Sequence, residues 1–146
     1  MAFYSGINGV LFFGSGTNPT EGGCDAKVKN WQWSTTQEVL DTTSLCDTDR
    51  TLVPSTRSTS GSCSLHYYGS NSAASKLINK IVKTGTGIGD GDNASSDPVT
   101  FKLQVEGQEI IIPAFITSAS MTCSIGEVVS VDISFEANGA AVINTL

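Results

Sequence analysis

The sequence predicts a mainly β protein: an antiparallel β-sandwich or half-barrel with one flanking α-helix at about residues 71–83. Three observations support this fold class. Apolar and polar residues alternate over most of the chain, which is the period of a half-buried strand. One segment alone has the period of an amphipathic helix. Gly-, Ser- and Asn-rich stretches separate the segments, and a length of 146 residues suits a single domain, 1–146.

The N-terminal half predicts three strand segments. The stretch INGVLFFG is the first. The stretch KVKNWQWSTTQEVLDTTSL is either one long strand or two strands joined by a bend, with Trp31 and Trp33 on one face. The stretch SGSCSLHYYG alternates again, so that Cys63, Leu65 and Tyr67 share the face opposite to the residues between them.

The segment SNSAASKLINKIVKTG departs from the two-residue period. A polar residue at 70–72 can cap a helix start, and Gly85 can end the helix. We therefore expect a helix of about three turns packed on the strands. Its apolar residues recur at i, i+3, i+4, i+7 and i+8, on one face: Ala74, Leu77, Ile78, Ile81 and Val82.

Alternation is strictest in the C-terminal half. The stretches PVTFKLQVEG, SASMTCSIG and VVSVDISFEANG each predict a half-buried strand, and Gly126 and Glu127 predict a short hairpin connection between the last two. The stretch GQEIIIPAFIT is more continuously apolar and predicts a strand covered on both faces, in which Pro113 requires an edge or a bulge. Composition predicts loops at residues 14–25, 45–60 and 84–98.

Composition and charge narrow the range of partners. Charged residues make up 15% of the chain, below the roughly 25% of an ordinary soluble domain, so much of the surface is neutral, polar and easily desolvated. The net charge of −6 argues against a nucleic-acid binder. No apolar run is long enough to cross a membrane, and the N-terminus lacks the features of a signal peptide. We therefore expect no membrane anchor, folding in a cytoplasm, and reduced cysteines.

Residues suited to catalysis or metal binding are scarce. His66 is the one histidine, and neither a GxSxG nucleophile elbow nor the GK pair of a P-loop occurs. Asp90 and Asp92 lack the further carboxylate of an EF-hand. We therefore predict no enzyme activity, no cofactor and no metal site. Trp31 and Trp33 share a strand face, which suits the core, an interface or a sugar-binding platform.

The polar stretch CDTDRTLVPSTRSTSGSC, residues 46–63, concentrates charge in a chain that has little of it. Asp47, Asp49, Arg50 and Arg57 lie within eleven positions. Arginine pairs with carboxylates in a forked geometry that is most valuable where an interface excludes water. The stretch is therefore either a solvated loop or a surface that contacts another protein.

Several short motifs follow one another between residues 26 and 140. They are a D-T-T step at 41–43, a D-R-x-x-x-P run at 49–54, an R-S-T-S-G run at 57–61 and a Tyr pair at 67–68. A helix follows, and the chain then closes on VSVDISFEANGAAV. In this order the motifs resemble the tail tube (major tail) proteins of long-tailed bacteriophages.

The resemblance implies a structural virion protein. Subunits of this family form hexameric rings that stack into the hollow tail tube through which phage DNA is delivered. The implied partners are other copies of the chain and other tail proteins (tape measure, terminator, baseplate or sheath), with DNA passing transiently and without specific binding. The implied location is the virion tail, after assembly in the host bacterial cytoplasm. The alternatives are another ring component, such as a terminator, and a glycan-binding β-sandwich module.

The resemblance also implies inter-subunit contacts. The family's long loop after the second strand reaches towards neighbouring subunits, and it corresponds here to residues 45–60. The implied contact residues are Asp47, Asp49, Arg50, Pro54 and Arg57.

A lumen surface is the second implied site. An acidic chain suits a lumen along which DNA slides without sticking, because cationic contacts would hold the phosphates. The polar faces of the last strands are the candidates, although such faces suit an outer surface equally well. The candidate lumen residues are Ser120, Thr122, Asp132, Ser134 and Glu136.

Overall fold

A computed structural model describes residues 9–14, 19, 21–23, 27–69, 72–82 and 98–145. Strands dominate this part of the chain and its one helix is short, which confirms the mainly β class. In chain order the elements are β1 (Val10–Gly14), β2 (Glu21–Gly22), β3 (Val28–Asp41), β4 (Leu52–His66), α1 (Ala73–Ile78), β5 (Val99–Val105), β6 (Gln108–Thr122), β7 (Ser130–Ala137) and β8 (Val142–Thr145).

All eight strands belong to one antiparallel sheet with the order β2-β1-β5-β6-β7-β4-β3, and β8 pairs with β6. The sheet curls strongly. Phe101 on β5 and Phe135 on β7 stack with ring centroids 4.2 Å apart, although β6 lies between their strands. Because neighbouring strands are about 4.8 Å apart, rings two strands apart meet only where the sheet folds around its core side. The single curled sheet corresponds to the half-barrel form of the prediction.

The core lies inside this curl and follows the predicted alternation. On β5, Val99, Phe101 and Leu103 are buried, and on β7 every second residue is buried in the same way. The short helix closes one part of the core with Ala73, Ala74 and Leu77. The other buried apolar residues of strands β1, β4, β6 and β7 are Leu11, Phe13, Cys63, Leu65, Ile110, Ile112, Ala114, Val131, Ile133 and Phe135.

Strand β6 joins the stretches GQEIIIPAFIT and SASMTCSIG into one strand of 15 residues. The expectation of full coverage on both faces is wrong, since Phe115 is 42% exposed. Pro113 lies where the partner of β6 changes from β8, whose pairing ends at Ile111, to β7, whose pairing begins at Ala114. Pro113, which has no backbone N–H to donate, therefore lies between the two pairings on this edge of β6, where a strand can accommodate proline.

The helix is shorter than predicted. It covers six residues, with Ser72 as N-cap accepting a hydrogen bond from the Ser75 N–H at 3.3 Å. Turns continue the chain, but Ile81 and Val82 are 38% and 51% exposed, so the apolar stripe does not extend to them. Residues 70, 71 and 83 at the predicted helix ends lie outside the described residues, as does almost all of the predicted loop 84–98.

The predicted loop 45–60 is wrong over most of its length. Strand β4 begins at Leu52, and only residues 42–51 connect β3 to β4. The run from 52 to 60 pairs with β3 through backbone hydrogen bonds. Serine and threonine occur in exposed strands as well as in loops, so composition did not distinguish the two. Part of the predicted loop 14–25 is also a strand, since β2 pairs with β1 at Phe12 and Phe13.

Candidate functional site

Four strands form a polar surface on the side of the sheet opposite to the core. The second half of β6, then β7, β4 and β3, pair in register, so that their side chains form rows across the sheet. We call this surface the polar face. Its rows are Ser120, Asp132, Ser64 and Asn30; then Ser118, Ser134, Ser62 and Gln32; then Phe115, Glu136, Ser60 and Ser34, in which Phe115 is the one apolar member.

Hydrogen bonds cross the polar face between strands. The Gln32 side-chain amide donates to the Ser62 hydroxyl at 3.1 Å, and the Ser64 hydroxyl donates to the Asp132 carboxylate. The rows named above hold two carboxylates and no basic side chain, so the surface is negative. All five predicted lumen residues are brought together here, with Thr122 in a further row beside Ser130 and His66.

The same four strands have two free edges among the described residues. Strand β3 ends the strand order and pairs only with β4. Strand β6 pairs with β5 only as far as Ala114, so the edge of residues 115–122 opposite to β7 has no partner strand. The sequence did not predict these edges, because pairing between distant strands leaves no local signal.

Strands β3 and β4 extend beyond the sheet as a two-stranded ribbon. Pairing between β4 and β7 stops at Ser60 and Glu136, and every residue from 34 to 58 is exposed. Paired hydroxyls tie the two strands together, with oxygen–oxygen distances of 2.9 Å for Thr36 and Ser58 and 2.8 Å for Thr42 and Thr51. We call residues 34–58 the ribbon. A two-stranded element exposed on both sides gains little from burial, so it has surface available for a partner.

Apolar side chains occupy both faces of the ribbon near its end. Leu40 and Val53 pair across the strands and are 53% and 46% exposed. Val39 and Pro54 pair at the adjacent position, where a register shift marks a bulge. Adjacent pairs point to opposite sides of a strand, so neither face of the ribbon end is fully polar.

The turn at the end of the ribbon is held by its own carboxylates. Asp47 accepts a hydrogen bond from the Ser44 N–H at 2.8 Å. The Thr43 hydroxyl, and then the Thr43 backbone N–H, donate to Asp41 and lower the pKa of its carboxyl group. Arg50 Nε lies 3.6 Å from Asp41 Oδ2, with both side chains largely exposed.

The five predicted contact residues are all exposed on this ribbon. Asp47, Asp49 and Arg50 lie in the turn, whereas Pro54 and Arg57 lie on β4 opposite Val39 and Gln37. The structure therefore brings them to one protruding element and not to one compact cluster.

The two tryptophans lie on the core side of β3. Trp31 pairs with the buried Cys63, and both indole rings are partly buried against the core. This position matches the core or interface interpretation of the pair.

The thiols of the described part of the chain fall into two classes. Burial, and then the negative charge of Asp132, raise the pKa of Cys63 to about 12. Cys46 in the ribbon turn and Cys123 after β6 are exposed. Within the described ranges, no three His, Cys, Asp or Glu side chains gather to hold a metal, and the helix is too short to cross a membrane.

No protein-family model matches the sequence, and no curated protein is significantly similar to it. Solved structures do match. The tail of an empty gene transfer agent particle, with C6 symmetry, matches with a TM-score of 0.72 and 18% identity over 96% of this chain and 98% of that one. The chain has a tail-tube fold. The tail-tube fold also relates it to the SPP1 tail tube, with a TM-score of 0.69 and 12% identity over 98% of this chain and 80% of that one.

A terminator structure is also similar to this chain. The sheath/tube terminator of an extracellular contractile injection system matches with a TM-score of 0.64 and 10% identity over 99% of this chain and 98% of that one. These matches confirm, at the level of the fold, the resemblance that the motif order predicted.

Proposed function

We propose that this protein is a tail tube subunit, which forms hexameric rings that stack into a hollow tube for the delivery of phage DNA. The observation that carries the proposal is the four-strand region with a polar face and two free edges. Edge-to-edge pairing of β3 with the free edge of β6 in the next copy would give both free edges of the four-strand region a partner strand. Six such copies, as in the C6 tail with the same fold, close into one barrel.

The orientation of the barrel follows from what covers the sheet. The core side of these strands is occupied by β1, β5 and α1, so only the polar face is free to line a channel. This favours the lumen role of Ser120, Thr122, Asp132, Ser134 and Glu136 over the outer-surface alternative. The rows hold carboxylates and no cation, so they repel DNA phosphates and release no counterions on contact, and DNA passes without specific binding.

Stacking of the rings requires a surface that reaches out of the ring plane. The ribbon protrudes from the sheet and carries Asp47, Asp49, Arg50, Pro54 and Arg57, and we assign these residues to contacts between subunits. A ring that stacks head to tail uses two different surfaces and so propagates as a filament.

The proposal also defines partners and location. Other tail proteins (tape measure, terminator, baseplate or sheath) contact the tube at its ends, inside or outside, and the tube belongs to the virion tail after assembly in the bacterial cytoplasm. The role is structural, with no catalytic residue, cofactor or metal assigned. A single-ring terminator is the second candidate, favoured by the shared fold with the injection-system terminator.

Electron microscopy of the purified protein at rising concentration tests the proposal. We expect rings and tubes with a continuous central channel and six-fold end views. Single rings that never elongate would favour the terminator, and a monomer at every concentration would contradict both functions.

A further inference from the structure

The polar face exposes one large apolar side chain, that of Phe115. Its neighbours in the same row are Glu136, Ser60 and Ser34. Phe115 is 42% exposed, so neither the core nor the rest of the polar face covers its ring. It is also the first residue of the free edge of β6, because the pairing of β6 with β5 ends at Ala114. An aromatic ring therefore lies uncovered on a surface that is otherwise polar and acidic.

A bulge in β6 places Phe115 on the polar face. Ala119 packs against the core, and strict alternation would put Phe115, four residues earlier, on the core side as well. The register with β7 shifts between Ile116 and Ser118, which turns Phe115 to the opposite side. At this position the Thr117 hydroxyl donates to a carbonyl of β7 at 3.3 Å. Bulges that re-aim a side chain are frequent beside functional sites, so the exposure of this ring is a feature of the fold.

In the proposed ring, no apolar side chain would cover Phe115. The free edge of β6 pairs there with β3 of the next copy, and β3 contributes Asn30, Gln32 and Ser34 to the rows of the polar face. Pairing with this part of β3 therefore sets Phe115 beside polar groups. One exposed aromatic residue on a monomer is ordinary, but six copies repeat it around the channel and form an apolar band in an acidic wall.

The proposed channel is wide enough for a protein. Six copies of four strands, spaced about 4.8 Å apart, give a circumference of roughly 115 Å and a backbone diameter of about 37 Å. The tilt of strands in a closed barrel widens the channel further. An α-helix with its side chains is about 10–12 Å across, so several helices fit side by side and reach the wall.

We propose that Phe115 holds a helical protein in the lumen, through contact with a stripe of apolar side chains flanked by lysine or arginine. The inference rests on the proposed tube, since only a closed ring makes the polar face a channel wall. The ring of Phe115 gains by burial against apolar side chains, and the carboxylates of Asp132 and Glu136 on the same face attract basic ones. A helix that runs along the wall meets Phe115 again in each ring, so that weak contacts add up.

Duplex DNA does not match this site. Its phosphates face outward and its bases are stacked inside, so it presents negative charge to the wall and no apolar surface. The same wall would therefore retain an amphipathic helical protein and let DNA pass.

Co-sedimentation of assembled tubes with a fluorescent peptide tests the proposal. The peptide is an amphipathic helix with a leucine stripe flanked by lysines, and the comparison peptide has glutamine in place of each leucine. Parent tubes should retain the leucine peptide and release the glutamine peptide. Phe115→Ser tubes should retain the leucine peptide at least about tenfold less, because the apolar contact is lost.

Two variants are the controls for this loss. Phe115→Leu keeps an apolar side chain in the lumen and should retain the leucine peptide. Val142→Ser removes a side chain that is 50% exposed on β8, outside the polar face, and should bind as the parent does. Equal retention of the leucine peptide by parent and Phe115→Ser tubes would overturn the proposal.

A tryptophan at position 115 distinguishes a lumen contact from packing between subunits. After subtraction of the parent signal from Trp31 and Trp33, Phe115→Trp tubes should show the emission of a water-exposed indole. The leucine peptide should shift this emission to shorter wavelength, and short duplex DNA should not. A buried emission before any addition, or loss of tubes in Phe115→Ser, would place Phe115 between subunits and overturn the proposal. Failure of the parent protein to form tubes would instead overturn the proposed function, and this contact with it.

Discussion

Gly61 lies at a point of the curled sheet that has no room for a side chain. A Cβ at this position would lie 2.6 Å from the Gln32 carbonyl oxygen and 2.6 Å from the Phe135 ring. Phe135 in turn stacks on Phe101 at the centre of the core. The position therefore requires glycine because two strands and a ring converge there, and not because of its backbone angles.

We expect Gly61→Ala to destabilise the monomer by about 1–3 kcal/mol, as overpacking of a filled site does. Chemical denaturation followed by tryptophan fluorescence measures this change. Ser60→Ala, one position away on the exposed polar face, is the control and should change the free energy of unfolding far less. Equal stability of the two variants would show that the core relaxes around the added methyl group.

The arginines of the ribbon are expected to matter for assembly and hardly for folding. Arg50 is 70% exposed and its contact to Asp41 is long, so Arg50→Ala should change the free energy of unfolding by less than about 0.5 kcal/mol. Arg57→Ala should behave in the same way. Tube yield after sedimentation should fall several-fold in both, but not in Lys80→Ala on the helix side. Normal tube yield from either arginine variant would argue against a contact role.

At the scale of elements, the ribbon is a strand pair that lies outside the core. Its residues contribute no buried side chain to the core up to Thr59, and its ladder is held by hydroxyl pairs such as Thr36 and Ser58. Polar cross-strand pairs keep the ribbon in register without a hydrophobic face. The element is therefore dispensable for the monomer's core.

A shortened ribbon tests this separation of folding from assembly. Replacing residues 37–57 with Asn-Gly leaves Thr36 and Ser58 as the last pair and supplies a two-residue hairpin turn. The free energy of unfolding should change by less than about 1 kcal/mol, because the removed residues are exposed. Electron microscopy should show no tubes. Tubes of normal length from this variant would exclude the ribbon from stacking.

At the scale of the whole molecule, the charge on the polar face would determine how the proposed tube interacts with DNA. The chain has a net charge of −6, and Asp132 and Glu136 lie on the face proposed to line the lumen. In the proposed tube, repulsion between these carboxylates and DNA phosphates would keep the DNA from binding to the lumen.

The variant Ser120→Lys with Glu136→Lys should convert the tube into a DNA-retaining one. Sedimented tubes should then hold short double-stranded DNA at low salt and release it as the salt concentration rises. Ser120→Gln with Glu136→Gln removes the carboxylate without adding cations and is the matched control. Equal retention by the two variants would place these residues outside the lumen.

Much of the fold was predictable from the alternation of apolar and polar residues along the chain. Val99, Phe101 and Leu103 face the core as their spacing predicts, and the candidate lumen residues share one face because strand side chains alternate strictly. The helix start at Ser72 was also predictable, because an N-cap depends only on residues close in the sequence. The motif order predicted the tail-tube fold that the solved structures share.

The sequence by itself thus determined which face each strand side chain takes, because that period is a property of the local backbone. Only the tertiary structure decided where strands end and which surfaces stay uncovered. Residues 52–60 have the composition of a loop, yet they pair with β3. Met121 and Ile125 continue the apolar alternation of β6, yet both side chains are exposed. Pairing and burial depend on partners far away in the chain, so the ribbon and the free edges appear only once the sheet is assembled.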